Sequence, residues 1–108
     1  MARYMIQASY SNQGMSDLVN NPQDRAANLR PVIERMGGKM ESFDYAFGEF
    51  DAVVIVDMPD NTAVASVAMA VGASGAISSI KTTVLISMEE AMQAMRQASG
   101  VGYRPPGG

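Results

Sequence analysis

Glu49 and Asp51 flank a phenylalanine in the stretch FGEFDAVVIVDMPD, residues 47–60. Two carboxylates at that spacing suit general acid–base work or a hard cation. A tight turn accounts for the same residues more economically. Gly48 gives the backbone freedom that a hairpin needs, Asp51 can accept hydrogen bonds from local amides, and Phe50 can fold over the hairpin's end. Gly48, Phe50 and Asp51 are therefore read as structural-turn residues. A metal would need more oxygen ligands than this segment offers, so no metal site is expected.

The rest of the composition narrows the chemistry further. The chain has no cysteine and no histidine, which removes thiol nucleophiles, disulfides, Cys/His zinc sites, His-based triads and His-ligated haem. No cofactor is expected. The net charge is -3 from 8 basic and 11 acidic residues, with no basic cluster to neutralise phosphates, so nucleic acid is not an expected partner. Ten methionines raise the question of a soft metal, but their placement suits packing better. Met88, Met92 and Met95 share one helical face, and Met36, Met40, Met58 and Met69 are expected at core positions. The uncharged stretch from Asn61 to Ile80 is broken by glycine and serine, and MEEAMQAMRQA has an acidic polar face with one arginine, so no membrane association is expected. The start of the sequence shows no signal-peptide pattern, and a cytoplasmic location is the expectation.

The elements that must position these residues follow from spacing. RYMIQAS reads as a strand and SNQGMSDLVNN as a turn or loose helical turn. Asn21 is expected to cap a helix with Pro22 at its first position and Asp24 in its first turn. Ala26, Leu29, Val32, Ile33 and Met36 keep a helical spacing up to Gly37, a left-handed stop, and Pro31 predicts a kink or break. KMESFDYAF alternates Phe43, Tyr45 and Phe47 against Ser42 and Asp44, as an edge strand does. AVVIV forms the partner strand of its hairpin. Asp60 starts a second long helix to about Gly72, AISSIKTTVLIS is a fourth strand, and a last helix runs from about Met88 to Ser99. Residues 1–99 thus form one domain, and residues 100–108 an extended Gly/Pro-rich tail.

The βαββαβ order, with an extra C-terminal helix, predicts an α+β ferredoxin-like sandwich whose first and third strands are central and parallel. In such a sandwich one sheet face meets water, yet AVVIV is apolar on both parities. The second long helix, TAVASVAMAVG, has almost no polar stripe. Both observations imply a homo-oligomer, a dimer or higher.

SNQG after the first strand, GGK after the first helix, FGEFDAVVIVDMPD at the hairpin and IKTTVLIS in the last strand together resemble the GYD-domain family of small prokaryotic proteins, over most of residues 3–90. The resemblance implies a dimeric α/β-barrel type of assembly, in which two ferredoxin-like sheets pack face to face. It implies no particular activity. The family's Gly-x-Tyr-Asp motif reads Gly48, Glu49, Phe50, Asp51 here, so the phenol hydroxyl is missing.

Strand parity then makes Lys81 the informative charge. If Ile80, Thr82, Val84 and Ile86 face the helices, Ser79, Lys81, Thr83 and Leu85 face the open side, as do Met5, Gln7 and Ser9 of the first strand. Within a dimeric barrel, Lys81 with Gln7, Ser9 and Thr83 would make a pocket for a small anionic or carbonyl-containing molecule, with Tyr45 as a lid or hydrogen-bond donor. The alternative is an edge lysine extending to solvent. Three functional readings follow. One is an oligomeric module binding a small molecule or a partner protein at the sheet face. Another is a cofactor-independent oxygenase, isomerase or decarboxylase of the dimeric-barrel kind, using Lys81, Tyr45 and Asp44. The third is a structural assembly unit. Elemental analysis of the purified protein is expected to find no stoichiometric zinc, copper or iron.

Overall fold

Tyr4, Ile6 and Ala8 alternate with Arg3, Met5, Gln7 and Ser9, and this period of two decides which side of the first strand meets the core. In the computed structural model, which describes residues 1–107, Tyr4, Ile6 and Ala8 are buried. The elements are β1 (Ala2–Tyr10), α1 (Asn12–Asn20), α2 (Arg25–Arg35), β2 (Lys39–Tyr45), β3 (Ala52–Met58), α3 (Asn61–Ala73), β4 (Ile77–Leu85) and α4 (Met88–Ala98). One sheet of order β2-β3-β1-β4 carries α2 over β2 and α3 over β3 and β4. The fold is α+β, a ferredoxin-like sandwich with one extra helix, α1, inside the first crossover and another, α4, after the last strand.

β1 and β3 are the central strands, but they run antiparallel, with Ile6 opposite Val54 and Ala2 opposite Met58. This corrects the parallel pairing expected from the sequence. β1 and β2 point the same way across the helical crossover, but the β2–β3 hairpin reverses the chain and inserts β3 between them. Every neighbouring pair is then antiparallel.

The core lies between the sheet and the helices, where Tyr4, Ile33, Val56 and Met58 are almost fully enclosed. Val54 belongs to this core, whereas Val53 and Ile55 point to the other face and are half-buried. Tyr4 keeps its phenol satisfied by donating to Asn61 Oδ1 at 2.6 Å, which ties β1 to the start of α3. Of the methionines expected in the core, Met40 and Met58 are there, but Met36 is 37 % and Met69 73 % exposed. Val67 and Val64 take the inner face of α3, so Met69 falls on its outer side.

The segment 12–20 is a full helix rather than a loose turn. The Ser11 hydroxyl caps α1 by accepting from the Gly14 amide at 3.0 Å, and it donates to the Gly75 carbonyl at 2.8 Å. With α1 in place, the next helix starts later than expected. Asp24, not Asn21, is its N-cap and accepts from the Ala27 amide at 3.1 Å. Pro31 lies inside α2 without breaking it. At its C-terminus the Gly37 amide reaches the Glu34 carbonyl and the Gly38 amide the Ile33 carbonyl, both at 3.0 Å, with Gly37 at φ 83°. This is a Schellman stop.

Gly38 is needed for a second reason. A Cβ there would lie 2.6 Å from the Asp57 carbonyl oxygen and collide with the Met58 sulfur, because the start of β2 is pressed against the end of β3. Gly72, in α3, has open space around it. Gly38→Ala is expected to destabilise by about 1–3 kcal/mol through overpacking. Gly72→Ala is expected to stabilise by up to about 1 kcal/mol by restricting the unfolded chain and favouring helix. Urea titrations of both variants check the pair.

Candidate functional site

The residues expected to do chemistry sit around the β2–β3 turn and on the sheet face away from the helices. At the turn, Asp51 is a latch. Its Oδ2 accepts the Tyr10 amide at 3.0 Å, its own amide donates to the Ala8 carbonyl at 2.9 Å, and its carbonyl accepts the Ala46 amide at 2.8 Å. One residue therefore closes the hairpin and fastens it to the end of β1. Ser9 adds to the same fastening, its hydroxyl donating to the Glu49 carbonyl at 3.0 Å. The Glu49 side chain is exposed, and no cluster of acidic residues that could hold a metal is present among the described residues.

That turn carries the residues Gly48, Glu49, Phe50 and Asp51, and the profile of the GYD domain matches the chain over residues 4–95. The chain belongs to the GYD-domain family. Within this GYD domain the motif's aspartate has a structural task, and its aromatic position, Phe50, is half-buried beside the turn. No curated protein matches the chain. Among solved structures it is similar to one described as the crystal structure of FFRP-DM1, with 14% identity and a TM-score of 0.50, covering 80% of this chain and 100% of that one. At that identity the likeness concerns the fold alone.

On the open face, Lys81 lies directly opposite Gln7, and Thr83 opposite Met5. Gln7 in turn lies opposite Val53, and Val53 opposite Asp44. The row across the sheet is therefore Asp44, Val53, Gln7, Lys81. Gln7, Val53 and Lys81 line a shallow cleft of about 340 Å³ together with residues 46–50 of the turn. Ser9 and Thr83 lie on the same face, in the neighbouring rows of the β1–β4 ladder. Ser9, however, already spends its hydroxyl proton on the turn.

Tyr45 is not part of this group. It pairs with Ala52, which pairs with Ala8, and that row faces the helices. A register shift between Met40 and Ser42 lets both Met40 and Phe43 turn inward and carries Tyr45 to the same side. There its ring packs edge-on against Phe43 at 5.5 Å and tilted against Tyr10 at 6.5 Å. Tyr45 cannot act as a lid or donor over Lys81 from across the sheet.

Sequence reasoning missed Tyr10 and Arg25, which line a larger cavity of about 470 Å³ on the helix side of the sheet. Burial, and next the Tyr45 hydroxyl, push the Tyr10 phenol up to about 12. No local pattern in the sequence marks that cavity, because its floor forms only where Ala8 and Ala52 meet across two strands.

Removing the latch tests its structural reading. Asp51→Ala is expected to cost about 1–3 kcal/mol, since the Tyr10 amide loses a charged acceptor in a half-buried place. Glu49→Ala should leave stability within about 0.5 kcal/mol. Equal losses for the two, measured by chemical denaturation, would refute the assignment.

Proposed function

We propose that the protein is a homo-oligomeric binding module that holds a small carboxylate or carbonyl-containing molecule against its open sheet face, between two copies of the chain. The observation that carries this reading is the register pairing of Lys81 with Gln7 beside an apolar patch that no helix among the described residues covers. Met5, Val53 and Ile55 form that patch, and all are half-buried only by their neighbours in the sheet. A second copy would exclude water from both faces at once, since a two-fold contact uses the same patch twice. Enclosed in that way, the Lys81 ammonium and the Gln7 amide would supply donors aimed at an oxygen-bearing ligand.

Binding fits the face better than turnover. Asp44 shares the row with Lys81 but is separated from it by two strands, Val53 and Gln7 lying between them. Three strand intervals amount to roughly 14 Å, too far for the two groups to pass a proton directly. Tyr45, the other candidate acid or base, is on the opposite face.

α4 offers a second contact between copies. It has a complete capping box, with the Glu90 amide reaching the Ser87 hydroxyl at 3.0 Å and the Ser87 amide reaching Glu90 Oε1 at 3.3 Å. None of its residues is buried, and Met88, Met92 and Met95 are 76, 47 and 66 % exposed. The radius of gyration, 17.3 Å, exceeds the roughly 13 Å of a compact chain of this length because α4 and the tail stand off the sandwich. Such a methionine face suits an adaptable interface.

Native mass spectrometry of freshly purified protein tests the proposal. An oligomer carrying a small molecule is expected, and Lys81→Gln is expected to lose that molecule while keeping the oligomer. Ile55→Asp should instead dissociate the oligomer into folded monomers, because the carboxylate would otherwise be buried without a partner. Val54→Asp would strike the core and unfold the chain, so it does not serve as the interface test. Retention of the molecule by folded Lys81→Gln would contradict the site, and an intact oligomer in Ile55→Asp would contradict the interface.

A further inference from the structure

The helix side of the sheet holds a space that its own side chains do not fill. α2 rests over β2 and α3 over β3 and β4, so the strip above the centre of the sheet lies between the two helices. Its floor is made of small side chains, Ala8 opposite Ala52, and its walls carry Leu29 on one helix and Val71 on the other. The resulting cavity of about 470 Å³ is roughly three times the volume that accepts a benzene molecule, and it falls within the range of small-molecule sites. The space is open to solvent on one side, so a ligand could enter it without unfolding the sandwich.

The polar groups of the cavity gather at one end, where β1 runs out and α1 and the start of α2 meet. Tyr10 and Arg25 both line that end. Arg25 donates from Nη1 to Gln23 Oε1 at 3.1 Å, and its remaining N–H groups have no partner among the described residues. The carboxylates nearby are already occupied: Asp17 accepts from Gln13 at 2.8 Å, Asp24 from the Ala27 amide at 3.1 Å and Asp51 from the Tyr10 amide at 3.0 Å. Asp17 and Arg25 are the charged residues of the lining, and Arg25 is the one that brings hydrogen-bond donors to it. The Tyr10 phenol, raised by burial, remains a neutral hydrogen-bond donor at any physiological pH.

We propose that this cavity binds an apolar monocarboxylic acid, its chain lying on the Ala8–Ala52 floor between α2 and α3 and its carboxylate held by the Arg25 guanidinium and the Tyr10 hydroxyl. The site is separate from the one around Lys81, on the other side of the sheet.

Isothermal titration of the full-length protein, stripped of bound lipid, with decanoate, decanol and decyltrimethylammonium tests it. Saturable binding of one decanoate per chain is expected, with decanol weaker and the cation weakest. Arg25→Gln, an exposed position, should weaken decanoate at least tenfold and leave decanol unchanged. Val71→Phe should weaken both by filling the space, and Lys81→Gln should change neither. Absence of saturable decanoate binding, equal or tighter binding of the cation, or insensitivity to Arg25→Gln would overturn the proposal. Loss of decanoate binding in Lys81→Gln would also overturn it, by moving the ligand to the open face.

Discussion

β3 has apolar side chains on both of its faces and sits near the middle of the sheet, and the rest of the molecule is arranged around that fact. Val54, Val56 and Met58 go to the helices and make the core. Val53 and Ile55 go the other way, next to Met5, and no helix among the described residues packs over them. Each half of β3 constrains the structure differently. The inner half is satisfied within one chain and determines stability. The outer half has no covering element among the described residues, and a contiguous apolar sheet face is a surface that soluble monomers seldom leave open.

The ends of the open face differ from its centre in a way that bears on specificity. Toward the start of β1, Arg3 donates from Nε to Glu41 at 2.6 Å, and the bond and charge of Glu41 raise the guanidinium above its ordinary range. That pair is exposed and screened, so it contributes little to stability. Its place is beside the apolar patch, where alternating charges set the register of a partner more than its affinity. Toward the other end lie Gln7, Lys81 and the turn held by Asp51 and Ser9. A rigid turn next to a free ammonium is a reasonable base for a binding site, since hydrogen bonds fix the position of the wall that a ligand would touch.

Much of this was legible in the sequence because period and capping carry it. The alternation in β1, the Asp60 cap of α3 and the Gly37 stop each depend on residues within a few positions of one another. The facing of Lys81 toward Gln7 followed from parity alone, because β4 is regular through that stretch. The failures were of another kind. The shared face of Phe43 and Tyr45 was read from their alternation, but Tyr45 was placed over Lys81 because which side of the sheet that face meets depends on pairing with β3, which has no local signature. The direction of β3 relative to β1 is a property of the whole connection, not of either strand. α1 was underestimated because its stabilising contacts are tertiary: Ser11 reaches Gly75 and Ala76, and a Cβ on Gly14 would collide with the Ala76 carbonyl. The helix-side cavity was invisible for the same reason, being a gap between elements rather than a pattern within one.

The central claim is that the outer half of β3 is covered by a second copy of the chain. Multi-angle light scattering of the unmodified protein at micromolar concentration and physiological salt tests it most directly. The account predicts a mass of twice 11.5 kDa or a higher even multiple, unchanged on dilution through the micromolar range. A stable, well-folded species at 11.5 kDa would contradict it, and with it the enclosed site around Lys81.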